Sequence, residues 1–137
     1  MRKFFVLLIA TLGFFAQAHA QEAVDVPEIR SVIDAQVQAF KAEDAVTAFT
    51  FASPRIKQLF GTVENFAAMV QGSYPMVWNP DKVVFFDQAQ RGAIIWQRVL
   101  FVDQAGAEHW FAYEMVPVGE TWKINGVYPV EATNLSA

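Results

Sequence analysis

Cysteine is absent from this chain of 137 residues, and histidine occurs only twice. Without cysteine there is no disulfide, no thiolate nucleophile and no thiolate zinc site. Catalytic zinc commonly takes two or three histidines, and His19 falls in a segment argued below to be removed. His109 alone then remains, so no metal is expected. Glycine is also sparse, and neither a G-x-G-x-x-G nor a Walker-type loop is present to cradle phosphate; no nucleotide or other cofactor is implied. There is no G-x-S-x-G, and Ser53 and Ser73 sit at expected helix caps or ends, which leaves nucleophilic hydrolysis with little support. Positive charge is the last shortage. Ten Lys and Arg face 14 Asp and Glu with no basic run, a balance that repels phosphate backbones and excludes nucleic acid as a partner.

What the chain has is apolar residues, at 54% hydrophobic, which is more than a disordered chain carries. The one long greasy run lies at the very start. Arg2 and Lys3 precede the apolar stretch Phe4 to Phe15, and Ala18-His19-Ala20 follows as an A-x-A cleavage site. This is the pattern of a secretory signal peptide over residues 1–20, cut after Ala20. The run is too short for a spanning helix, which needs about 20 apolar residues, so no membrane anchor is expected after cleavage. Cleavage takes Arg2 and Lys3 but no acid, so the formal charge of −4 falls by two, to −6. The expected product is a soluble periplasmic or secreted protein, stabilised by apolar burial alone.

Residues 21–26 read as a polar tether, 27–131 as a single domain and 132–137 as a C-terminal tail. Pro27 suits the first turn of a helix, and Ile29, Val32, Ile33, Val37 and Phe40 recur at spacings of three and four. Asp44 can cap a second short helix, Ser53-Pro54 a third that ends at Gly61, and Thr62 a fourth that stops at Gly72. The prolines between Tyr74-Pro75 and Asn79-Pro80 mark a loop. Beyond it the period becomes two. Lys82 to Asp87, Ala93 to Val102, Glu108 to Val116 and Thr121 to Val127 read as four antiparallel strands joined by hairpins, with a bulge at Asn125-Gly126.

Helices followed by a meander predict an α+β fold, the helices packed on one face of the sheet. Strand parity puts His109, Phe111, Tyr113 and Met115 on one face. The strand Ala93 to Val102 is apolar on both sides, and both faces should therefore be covered. Helices cover one. A second subunit is the expected cover for the other, with Trp110 in the contact.

The run Ala48-Phe49-Thr50-Phe51-Ala52-Ser53-Pro54, with Phe60-Gly61, Phe66, Met69-Val70 and Tyr74-Pro75, resembles the bacterial family termed domain of unknown function 4864. The strand half, ending in Gly119-Glu120-Thr121-Trp122-Lys123-Ile124, is similar to the wider nuclear transport factor 2-like superfamily, also called SnoaL-like or cystatin-like. The resemblance implies a conical half-barrel with a pocket between its concave face and the helices, often dimeric through the other face. No function comes with the family. Enzymes of the superfamily, by the same resemblance, use a carboxylate or histidine with tyrosines in that pocket.

Two functions stay open. The first is a non-catalytic module that binds a small apolar ligand or a protein, its site lined by Tyr74, Trp96, His109, Tyr113 and Trp122. The second is a cofactor-free acid–base enzyme of isomerase or dehydratase type, with His109 as base and Asp87 nearby. His109 reads more readily as a half-buried strand residue satisfied by one hydrogen bond, since nothing in the spacing fixes a second catalytic group near it. An enzyme needs at least two titratable groups converging in the pocket, whereas a binding module needs a cavity with one or two polar handles.

Overall fold

The structure, a computed structural model, describes residues 21–132. The signal segment and the end of the tail, 133–137, lie outside the described residues. After a short strand β1 (Glu22–Val24) come five helices: α1 (Pro27–Lys41), α2 (Ala45–Thr50), α3 (Pro54–Phe60), α4 (Val63–Ser73) and α5 (Pro75–Trp78). Four long strands follow: β2 (Lys82–Arg91), β3 (Ile94–Val102), β4 (Glu108–Val118) and β5 (Thr121–Pro129). All five strands form one curved, unclosed antiparallel sheet in the order β1-β2-β3-β4-β5.

The helix starts follow local chemistry. Asp44 accepts the Thr47 N–H at 3.1 Å, Ser53 the Ile56 N–H at 3.2 Å and Thr62 the Asn65 N–H at 3.1 Å, which satisfies donors that a helix N-terminus leaves unpaired. Helix α1 ends on Glu43, held at φ 57. The Asp44 N–H returns to the Ala39 carbonyl and the Glu43 N–H to the Phe40 carbonyl, so this turn closes as a Schellman motif. Asp44 therefore closes one helix and caps the next.

The inner face of the sheet carries Ile95, Val99, Phe101, Phe111, Tyr113, Met115 and Ile124, and α1 lays Ile29, Ile33, Val37 and Phe40 against them. Each large side chain buried here contributes about 1.5–3 kcal/mol of apolar transfer. The expected parity of β4 holds: His109, Phe111, Tyr113 and Met115 face the helices.

Three expectations are corrected. The sheet has five strands, not four, because residues 22–24 of the supposed tether pair with Gln88 to Gln90. That edge strand is three residues long, too short for an apolar alternation to mark it. The loop after Tyr74 contains one helical turn, α5, which Pro75 starts as a first-turn proline. Strand β2 runs on past Asp87 to Arg91, because the irregularity there is a bulge between Phe85 and Gln88, not an end. The bulge foreseen in the last strand is present: Glu114 pairs with Gly126 and Met115 with Ile124, leaving Asn125 as the extra residue.

Two glutamines hold the β2 bulge. Gln97, 0% exposed, donates from Nε2 to the Phe86 and Arg98 carbonyls at 3.0 and 2.8 Å. Its Oε1 accepts from Gln88 Nε2 at 2.8 Å. Gln88 in turn clamps Val26 from both sides, accepting its N–H at 2.7 Å and donating to its carbonyl at 3.0 Å. Replacing Gln97 by leucine keeps the volume but leaves these carbonyls unpaired, and each orphaned buried group costs about 1–3 kcal/mol. Gln97→Leu is expected to lower unfolding stability by about 2–4 kcal/mol, measured by urea titration; an unchanged midpoint would contradict this account of the bulge.

Candidate functional site

Between the inner face of the sheet and helices α3 and α4 lies a cavity of about 220 Å³. It exists because the α2–α3 link is stitched to β5. The Ser53 N–H donates to the Ile124 carbonyl at 2.8 Å and the Ile124 N–H to the Phe51 carbonyl at 2.9 Å, while Lys123 Nζ reaches the Thr50 carbonyl at 2.9 Å. Arg55 Nη1 donates to the Asn125 carbonyl at 3.2 Å, and Ser53 Oγ to Asn125 Oδ1 at 2.7 Å. These bonds fix α3 along the edge of the sheet and hold a gap open above Tyr113.

The walls are apolar: Phe40, Ile56, Phe60, Phe66, Val70 and Val77 contribute most of them. Polar groups are few and each comes from a different element. Gln36 of α1 is buried, spends its Nε2 on the Ala48 carbonyl at 3.1 Å, and makes no hydrogen bond through Oε1 among the described residues. Tyr74, between α4 and α5, sends its hydroxyl toward the Val127 carbonyl at 3.5 Å, a weak bond. Tyr113 of β4 is 0% exposed, and its hydroxyl has no hydrogen-bond partner among the described residues. Burial first, and the neighbouring Tyr74 second, push the Tyr113 phenol well above the ordinary tyrosine range, so it stays a neutral donor. Exposed Arg55, Leu59 and Tyr128 form the mouth.

Of the five residues expected to line one site, the structure brings Tyr74 and Tyr113 together in this cavity. His109 lines a separate hollow with Ser73, Met76 and Trp110, on the other side of Tyr74. Trp96 is on the opposite, helix-free face, its ring 5.8 Å from that of Tyr128, beside Asp87 and Arg98. Trp122 turns inward and packs against the core without lining the cavity. The acid–base pair also comes apart. Asp87 bonds Arg98 at 3.2 Å on the outer face, whereas His109 Nε2 lies 2.8 Å from Asp103 Oδ2. Among the described residues no group of three His, Cys, Asp or Glu is placed to hold a metal ion.

Sequence reasoning missed Gln36, Arg55 and Asn125. Gln36 carried a signal: it falls three residues after Ile33 and four before Phe40, on the apolar stripe, where a polar side chain needs a reason. Arg55 and Asn125 carried none, since their meeting depends on how α3 docks on β5.

What the fold and cavity define is an α+β protein with its helices on one face of a curved, open antiparallel sheet and a mostly apolar hollow between the layers. The chain belongs to the family described as domain of unknown function, DUF4864, whose profile matches residues 22–137. No curated protein matches it.

His109 has a structural task. Asp103 accepts the Ala105 and Ala107 N–H groups at 2.9 Å each through Oδ1, and His109 through Oδ2, so the pair fastens the β3–β4 hairpin. The hydrogen bond from His109, then that from the Ala107 N–H, holds the Asp103 carboxyl below its ordinary value of 3.8. A depressed carboxyl pKa stabilises the fold above the unfolded value and loses that contribution as pH falls through the folded one. Asp103→Asn is expected to lower stability at neutral pH and to flatten the decline below pH 3.8, the remaining slope coming in part from Asp44, which Thr47 lowers likewise. Unfolding midpoints across that range check it; an acid limb identical to the parent's would refute it.

Proposed function

We propose that this protein is an exported binding module whose cavity between α3 and β5 holds a small, mostly apolar ligand without performing chemistry on it. The observation that carries this reading is the Tyr113 hydroxyl. A buried hydroxyl with no partner among the described residues costs about 1–3 kcal/mol, and a ligand oxygen that reaches it past the lining side chains recovers that cost. Apolar walls with a few polar handles are what such a site requires. The acid–base alternative is weaker because no carboxylate or imidazole of the described residues lines the cavity, and a phenol with a raised pKa is a poor base.

Export rests on the Ala18-His19-Ala20 site, with Gln21 as the mature N-terminus. We read the curved sheet with its leading helices as an open cone of the nuclear transport factor 2 type, on the strength of the element order and the one-sided helical layer.

The test separates a binding hydroxyl from a structural one. Tyr113→Phe is expected to leave the fold intact and raise the stability of the empty protein by about 1 kcal/mol, since it removes an unpaired buried group. The same change is expected to reduce retention of any small molecule that co-purifies from the native host, read by native mass spectrometry. Loss of stability with unchanged retention would sink the reading.

For the helix-free face we propose a second copy of the chain as the cover. Phe86 and Trp110 pair there at 4.7 Å and Trp96 and Tyr128 at 5.8 Å, with Phe86 40% and Tyr128 43% exposed, an aromatic surface suited to an isologous contact. Light scattering is expected to give twice the mature mass and Phe86→Glu to give a monomer. A monomeric parent at micromolar concentration would reject the dimer.

A further inference from the structure

The mouth of the cavity carries information that the floor does not. Arg55 is the one charged side chain among the described residues lining the cavity, and no acid of the described residues pairs with it. Only one of its five N–H donors is engaged, on the Asn125 carbonyl at 3.2 Å. Asn125 lines the same mouth. Ser53 Oγ fixes its amide by donating to Oδ1 at 2.7 Å, which leaves Nδ2 as a second unengaged donor. A guanidinium and an amide N–H₂, tied to each other through the bulged β5 backbone, form a donor pair suited to a carboxylate.

We propose that the cavity takes a small monocarboxylate that carries an oxygen at its far end. The carboxylate meets Arg55 and Asn125, the apolar body lies among Phe40, Phe66 and Val70, and the far oxygen accepts from Tyr113. This rests on the binding reading above and names the ligand class. Size sets a limit. A cavity of ~150 Å³ holds benzene, so the 220 Å³ here takes about nine non-hydrogen atoms, with the carboxylate outside at the mouth. One aromatic ring with a hydroxyl and a two-carbon arm meets that limit.

The probe is therefore 3-(4-hydroxyphenyl)propanoate, titrated calorimetrically into the purified full chain. Its comparators are the corresponding neutral amide, 3-phenylpropanoate, which lacks the far oxygen, and phenol. The acid is expected to bind about tenfold more tightly than the amide and about fivefold more tightly than 3-phenylpropanoate, the range of single charged and neutral hydrogen bonds. Arg55→Gln is expected to erase the preference for acid over amide and leave the hydroxyl preference in place, while Arg55→Lys retains part of the former. Tyr113→Phe is expected to erase the hydroxyl preference alone. Circular dichroism checks that each variant folds. Equal binding of acid and amide, or an acid preference that survives Arg55→Gln, overturns the carboxylate assignment. Phenol binding with rejection of all three larger probes overturns it too, yet leaves the cavity reading standing. Failure of every probe, phenol included, removes both.

Discussion

Two buried amides decide how the helical layer meets the sheet. Strand β2 cannot run straight, because its bulge leaves the half-buried Phe86 carbonyl outside the regular ladder. Gln97 supplies the missing donor at 3.0 Å, and its own oxygen is occupied by Gln88 at 2.8 Å. A bulge satisfied in this way bends the strand and increases its twist, which gives the sheet a concave side. Gln88 then grips both the N–H and the carbonyl of Val26. Helix α1 starts at the next residue with no side-chain cap of its own, so its position over the sheet is set by an amide from β2. The concave face and the helix that covers it thus depend on one hydrogen-bonded chain.

The opposite edge repeats the device with a different result. In β5 the extra residue is Asn125, and its carbonyl and side chain both turn toward α3. A Cβ at Gly126 beside it would lie 2.7 Å from the Tyr128 ring, so a larger residue there has to push that ring aside. That ring crosses the strand and reaches Trp96 on the outer face. One bulge is sealed by glutamines in the core, while the other presents its polar groups at the mouth of a cavity.

Much of the fold was legible because it is written in local chemistry. Asp44, Ser53 and Thr62 announced three helices by the oxygen each offers to unpaired N–H groups, and period-two alternation put His109, Phe111, Tyr113 and Met115 on one face. What escaped was set at a distance. Strand β1 is only three residues long, and only its pairing with Gln88 to Gln90 makes it a strand. Pro75 was read as a break when its fixed φ and missing N–H suit a first helical turn equally well. The face taken by Trp96 could not be read from a strand apolar on both sides. Of the candidate site, the tyrosines were accessible from parity and the closing loop. Arg55 was not, because nothing local tells an exposed helical arginine from one that faces a cavity.

The placement of Tyr113 argues against the cavity being a mere packing defect. It sits at the centre of the inner face, flanked by Phe111 and Met115 and stacked near Phe101, where phenylalanine would fill the same space without an unpaired oxygen. Gln36 repeats the anomaly on the opposing helix, occupying a position in an apolar stripe and making no hydrogen bond through its carbonyl oxygen. A packing defect is indifferent to polarity, and an apolar lining would leave it dry and cheaper to maintain. Here a donor from β4 and an acceptor from α1 border one void, the donor at a cost to the isolated fold. Local choices that oppose stability and converge on one space are the mark of a site shaped for something other than folding.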